Sequence, residues 1–182
     1  MGIARTFQNV RIYPKLTALE NVAIGVSSIP KYDTISAMLR LPHVRRRDRE
    51  VVEVCEKYLE QIGLMKYRDQ PAGSLPYGIQ RRLEIARALA TSPKLLFLDE
   101  PAAGMNTAES LELVEFLKNV HQMTKITIIL IEHHLEVVMN VCSKINVLNL
   151  GSLLFTGTPQ EVQTNPEVIK AYIGERRRKN EQ

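Results

Sequence analysis

One stretch sets the terms for the whole chain. Leu95 to Pro101 reads LLFLDEP: four apolar residues, two adjacent carboxylates and a proline. A short continuous apolar run closed by a proline predicts a strand buried on both faces, which needs a sheet covered by helices. It also fixes where chemistry can sit. Asp99 and Glu100 are delivered to the strand's carboxyl end, the edge of an open α/β sheet at which ligands bind. A Gly-led amphipathic helix stands just before it: Ile79, Leu83, Ala86 and Ala90 form one face, while Gln80, Arg81, Glu84 and Arg87 point elsewhere. Ser92-Pro93 ends that helix.

The rest of the chain fits around this pair of elements. Ile3 to Phe7 suits a short strand with Gln8 at its end, followed by a loop through Tyr13-Pro14. Thr17-Ala-Leu-Glu20 is a capping box and starts a helix running to about Gly25. Residues 26–40 are ambiguous, with helix favoured in the second half, and Pro42–Arg46 punctuates the chain. Asp48–Met65 has Val51, Val54, Cys55, Tyr58, Leu59 and Ile62 at helical spacing, with Gly63 marking the end. Tyr67–Tyr77 reads as a Pro- and Gly-rich loop. Asn106-x-x-Glu109 caps a helix to about His121, Ile126–Ile131 is a second buried strand, and a helix follows from about Leu135 to Val141. Lys144–Leu150 and Leu153–Thr156 flank a turn at Gly151. Thr158-Pro159-Gln160-Glu161 and Asn165-Pro166-Glu167 start two short helices, the second reaching about Ile173.

Strands alternating with helices from Ile79 onward predict an α/β fold with a largely parallel sheet covered on both faces. Four segments are expected: 1–14, a strand and loop of the core; 15–77, a helical lobe; 78–174, the α/β core; and 175–182, a charged tail.

Composition matters here for what it excludes. The basic residues cluster in runs at Arg45–Arg47 with Arg49, Arg81–Arg82 and Arg176–Lys179; for the two that lie near loops or the terminus a solvated face is the simpler account than a nucleic-acid groove. Aromatics are 5% and Trp is absent, so no base-stacking platform is expected and nucleic acid is not a partner. Cys55 and Cys142 lack metal-ligand spacing and read as buried thiols of a reducing compartment. No signal peptide opens the chain, and no apolar run approaches the roughly 18 residues needed to span a bilayer.

Mg²⁺ takes hard oxygen ligands, usually one or two carboxylates together with phosphate oxygens. Asp99 at a strand tip suits that role, and Glu100, pointing to another side, suits orienting or deprotonating water. Phosphoryl transfer is mostly positioning plus charge stabilisation, so a small set suffices. Two surface acids after a strand would be the plain structural alternative. Gln8 can likewise be an ordinary strand-end residue, and Glu132 a polar strand end.

The surroundings are more specific. LPYGIQRRLEIARAL followed by LLFLDEPAAGMN resembles the signature motif, Walker B strand and D-loop of an ABC-type nucleotide-binding domain. IIEHHLEVV is similar to its switch-histidine region, and RTFQN to its Q-loop. AAGMN, RTFQN, YGIQRRLEIAR and the EVQTNPEVIKAYIGE tail resemble, in particular, the LivG-type ATP-binding subunits of branched-chain amino acid importers. The resemblance implies a P-loop NTPase-like domain with an α-helical lobe. It further implies ATP and Mg²⁺ as cofactors, hydrolysis in a homo- or heterodimer with a second ATP-binding subunit, and attachment to membrane-spanning permease subunits on the cytoplasmic face of the membrane.

Carried over by motif, Gln8 senses the γ-phosphate and Mg²⁺ and faces the permease contact. Asp99 binds Mg²⁺ through water, Glu100 is the catalytic base and His133 contacts the γ-phosphate. Tyr77, Gly78 and Ile79 form the signature, acting on the partner's nucleotide. A helix N-terminus offers unpaired N–H groups and a positive dipole end to a phosphate, and glycine permits close approach. His133 is chosen over His134 because it follows Glu132; His43 and His121 read as structural.

The sequence departs from the family pattern in one large way. It contains no G-x-x-x-x-G-K-[ST] and no Gly-Lys pair, so the loop that cradles the β- and γ-phosphates is absent from these residues. An N-terminally truncated domain lacking its first strands and P-loop is therefore expected. With it come impaired ATPase activity alone, an open sheet edge and a tendency to aggregate. Pro76 replaces a serine of the wider family, Ile79 a polar residue and Asn106 the D-loop acid. Two alternatives stand beside the ATPase. One is a non-catalytic module lending its signature helix to an intact subunit; the other is a nonfunctional fragment. ABC-type ATPases of DNA repair or chromosome structure would need coiled-coil or zinc insertions, which are not seen.

Overall fold

The computed structural model describes residues 2–8, 10–26, 33, 36, 38–39 and 41–171. The ambiguous stretch 26–40 lies mostly outside these residues, as does the charged tail with the end of the last helix. The chain divides into two compact units, Met1–Glu132 and His133–Gln182.

The first unit is built on three parallel strands, β1 (Ile3–Arg5), β2 (Leu95–Asp99) and β3 (Thr127–Ile131), in the order β1-β2-β3. The LLFLDEP strand is thus central among the described strands. Its Leu96 and Leu98, which share one face, are buried, while Leu95, Phe97 and Asp99 on the other face are half-buried, so only one face is fully covered where the sequence predicts two. Crossovers between parallel strands need helices, and the sequence supplies them: α1 (Ala18–Gly25), α2 (Pro42–Gln61), α3 (Tyr77–Leu89) and α4 (Thr107–Thr124). A short 3₁₀ turn occupies Met65–Tyr67, where the sequence predicts the end of the preceding helix, which instead stops at Gln61, and another occupies Ala72–Ser74 in the stretch expected as loop.

Capping chemistry decides the helix starts. Thr17 and Asn106 each close a full capping box, with Glu20 and Glu109 respectively. Pro42 corrects one expectation. It does not break the chain before α2 but stands at the helix's first position, where its missing N–H costs nothing, so α2 begins at Pro42 and not at Asp48. Gly63 follows α2 with φ +70°, the left-handed conformation expected beyond a helix end.

The second unit contains α5 (Leu135–Val141), an antiparallel hairpin of β4 (Ile145–Asn149) and β5 (Ser152–Gly157), and α6 (Pro159–Thr164), with a further helical segment at 166–171. Leu150 and Gly151 form the hairpin turn, both at positive φ. Thr158 caps α6 through a capping box with Glu161. No described helix is long and apolar enough to cross a membrane.

Candidate active site

The carboxyl end of β2 gathers most of the singled-out residues of the first unit. Gln8, just beyond β1, donates from Nε2 to Glu100 Oε2 at 2.8 Å. Arg5, on β1, donates to Asp99 Oδ2 at 2.8 Å. Both contacts join residues more than ninety positions apart, and parallel pairing of β1 with β2 brings them together. Glu100 adopts φ +43°, uncommon for a residue with a side chain. That conformation turns the chain sharply off the strand, so Asp99 and Glu100 leave it in different directions. Glu100 N–H still reaches Ile131 O at 2.8 Å, and Glu100 O accepts from Ala103 N–H at 3.1 Å. Glu132 is more than a polar strand end: its Oε1 accepts from Ala102 N–H at 2.8 Å and so fixes the turn that follows the acids.

The first turn of α3 lies against the same loop. Tyr77 donates from its hydroxyl to Ala103 O at 3.2 Å, and its ring stands beside Gly104. Pro76 is the N-cap and supplies no side-chain acceptor. The amides of Ile79 and Gln80 bond to Pro76 O, whereas among the described residues those of Tyr77 and Gly78 meet no acceptor. These are the orphan donors of a helix start. A Cβ built on Gly78 would meet nothing closer than Glu109 at 3.8 Å, so packing within the chain does not require glycine there.

His133 is the first residue of the second unit. Its ring lies 4.3 Å from that of His134, centroid to centroid, and both residues are exposed. His121 bonds through Nδ1 to Ile126 O at 3.0 Å, in keeping with a structural role.

Arg81 is what the sequence reading missed. It belongs to a basic pair, Arg81–Arg82, and to the side of α3 set aside as polar, yet it is 0% exposed and Glu84 only 3%. The two form a buried ion pair at 2.8 Å. The remaining donors of Arg81 run to main-chain carbonyls: Phe7 O at 2.7 Å, Gln8 O at 2.6 Å, Glu100 O at 3.2 Å and Pro101 O at 3.2 Å. The available signal was the Arg–Glu pair three positions apart on one helix. Periodicity alone places both residues off the apolar face, because it does not register that a loop covers that side. Cys55 is buried as expected, with its thiol pKa pushed up to about 11 by burial and by the nearby Glu56; burial also raises that of the half-buried Cys142.

Parallel strands ending in an acid pair, with a helix N-terminus beside them, form the α/β architecture of P-loop NTPase-type domains. The chain belongs to the ATP-binding domains of ABC transporters: the family pattern described as "ABC transporter" matches residues 1–103, and one described as "Branched-chain amino acid ATP-binding cassette transporter" matches residues 152–177. It is 43% identical over 175 residues to the high-affinity branched-chain amino acid transport ATP-binding protein LivG of Salmonella typhimurium, spanning 96% of this chain and 69% of that protein. It is 41% identical over 174 residues to BraF of Pseudomonas aeruginosa, spanning 96% and 68%. Among solved structures, an ATP-binding cassette of an ABC transporter in its ADP conformation superposes with a TM-score of 0.72 at 30% identity, over 95% of this chain and 68% of that one. A nucleotide-free cassette gives 0.71 at 30% identity, over 94% and 68%.

Proposed function

We propose that this chain is an ATP-binding subunit of an importer for branched-chain amino acids and works as one half of a dimer attached to permease subunits at the cytoplasmic face of the membrane. The observation that carries the proposal is the Gln8–Glu100 hydrogen bond at 2.8 Å, which joins the Q-loop glutamine to the acid after the Walker B strand. The relatives' names supply the transported class of solute.

Each residue then has a role that follows from its chemistry. Glu100 accepts a proton from the attacking water and orients it, so it must be held where its carboxylate faces the γ-phosphate. Gln8 holds that carboxylate through its amide N–H, leaving its carbonyl oxygen as a hard donor. Asp99 and that carbonyl suit Mg²⁺, which binds oxygen and keeps most of its waters. Asp99 holds Arg5 through one carboxylate oxygen at 2.8 Å. Held by the Asp99 and Gln8 oxygens, Mg²⁺ would supply positive charge against the negative charge that develops in phosphoryl transfer. His133 contacts the γ-phosphate. Tyr77, Gly78 and Ile79 serve the partner subunit's nucleotide; the two orphan amides and the glycine that internal packing does not require both favour that assignment.

The 182 residues contain no Gly-Lys pair, so they carry no phosphate cradle of the Walker A kind. A second role beside catalysis in cis, that of lending the signature helix to an intact subunit, is favoured by the orphan amides of Tyr77 and Gly78 at the start of α3. One pair of measurements tests both. Isothermal titration of the 182-residue chain with MgATP is expected to give an affinity much weaker than low micromolar, and low-micromolar binding would overturn that expectation. Titrating the chain into an intact LivG-type subunit is expected to change that subunit's ATPase rate; a flat response over the whole titration defeats the trans role.

A further inference from the structure

We infer that Arg81 is a positioning residue for the Gln8–Glu100 pair, tying the helix that carries the signature to the two segments that carry the pair. A guanidinium has five N–H donors in a fixed fork, and in Arg81 all are engaged. Nε reaches Pro101 O, Nη1 reaches Phe7 O and Glu84 Oε2, and Nη2 reaches both Gln8 O at 2.6 Å and Glu100 O at 3.2 Å. One amino group therefore spans the main-chain carbonyls of the same two residues whose side chains meet at 2.8 Å.

The clamp extends further through Glu84. With Oε2 on Arg81, its Oε1 accepts from Arg11 N–H at 3.0 Å, so the segment is held at Phe7, Gln8 and Arg11. On the other side the bond to Glu100 O stabilises a residue at φ +43°, a conformation that persists only where its surroundings determine it. Arg81 lies about one turn beyond Gly78 on α3. Any shift of the signature turn is therefore transmitted to Gln8 and Glu100 through rigid, desolvated bonds, in which charge-assisted donors are the strong kind. Lysine cannot substitute. It has three donors, disposed tetrahedrally, and no fork.

The inference rests on the assignment of Gln8 and Glu100 to the nucleotide site, but its test uses neither nucleotide nor hydrolysis. A failure of that assignment would appear in the MgATP titrations and not here. In the full chain, the Gln8 side-chain amide is followed by ¹H–¹⁵N NMR, with Glu100→Gln marking the position it takes without the carboxylate. Amide exchange by mass spectrometry is followed in residues 6–11 and 100–103. Arg81→Lys is expected to move the Gln8 signal to its Glu100→Gln position and to raise exchange in both segments at least tenfold. Leu113→Ala, a core change in α4, serves as the control, compared at equal displacement below its own Tm. It is expected to leave the Gln8 signal in place. Should Arg81→Lys fail to fold, Arg81→Met with Glu84→Gln removes the buried charges together and is expected to give the same two changes. A Gln8 signal and exchange pattern unchanged by either Arg81 variant overturns the inference. So does a Leu113→Ala control that reproduces both changes.

Discussion

Two glycines of the first unit face the same substitution and should respond in opposite ways. A Cβ built on Gly25, at the end of α1, meets Arg87 O of α3 at 2.2 Å and Ala90 Cβ at 3.0 Å. The obstructing oxygen belongs to helix backbone, so relief requires α1 and α3 to separate by about an ångström, roughly what van der Waals contact lacks. Overpacking of this kind costs about 1–3 kcal/mol, and more where backbone must move. A Cβ on Gly78 finds its nearest neighbour, Glu109, at 3.8 Å, an ordinary contact, and Gly78 has no positive φ. Alanine there reduces the freedom of the unfolded chain and should stabilise by about 0.4–1 kcal/mol. For a chain of this length 1 kcal/mol shifts Tm by about 2–4 °C. Gly25→Ala should therefore melt several degrees below wild type and Gly78→Ala slightly above it. Urea unfolding followed by circular dichroism, with unchanged m-values, measures both. The functional readout separates the two further: under the proposed trans role, Gly78→Ala should abolish any effect on an intact subunit's ATPase while leaving the fold sound, because the methyl group would stand where that role needs a phosphate to approach. If Gly78→Ala destabilises as much as Gly25→Ala, internal packing does require that glycine, and the case for an external ligand at the α3 N-terminus loses its main support.

Two further outcomes follow from local chemistry. Asn106→Ala removes the side-chain acceptor for Glu109 N–H at 3.0 Å and half of the capping box of α4. It should cost about 0.5–2 kcal/mol in urea unfolding, with Asn106→Asp recovering most of it; no loss in the alanine variant would mean that the cap is not holding α4. The Cys55 thiol, held protonated by burial with a pKa of about 11, against roughly 8.5 in an unfolded chain, gives a pH-dependent term. Its folded pKa lies above the unfolded one, so the stability it contributes is present below about pH 8.5 and is lost as pH rises towards 11. The loss is on the order of 2–3 kcal/mol. Urea midpoints of wild type minus Cys55→Ala, taken from pH 8 to 11, should fall with pH, and a flat difference would rule the term out. At neutral pH the same thiol should resist iodoacetamide until the protein unfolds.

What could be read from the chain follows the range of the forces involved. Capping at Thr17, Asn106 and Thr158 depends on side chains bonding to backbone within one turn, so sequence order alone determines it. The buried strand LLFLDEP and its acids at the carboxyl end are equally local, because an apolar run of strand length leaves little choice. The motif resemblance placed Gln8, Tyr77, Gly78, Ile79, Asp99, Glu100 and His133 in one proposed mechanism. Pro42 was misread as a break because proline ends a helix in mid-course but begins one at its first position, and only the surrounding chain selects between the two.

Tertiary structure alone decided the rest. Parallel pairing of β1 with β2 sets Gln8 against Glu100 and Arg5 against Asp99. Arg81 shows the difference most plainly. By periodicity it simply points away from the apolar face of its helix. In the fold, two loops distant in sequence close over that side and present main-chain carbonyls that only a guanidinium fork can satisfy together. The physical reason is that a buried polar group is defined by its partners, and those partners come from segments that chain order keeps apart and folding brings together.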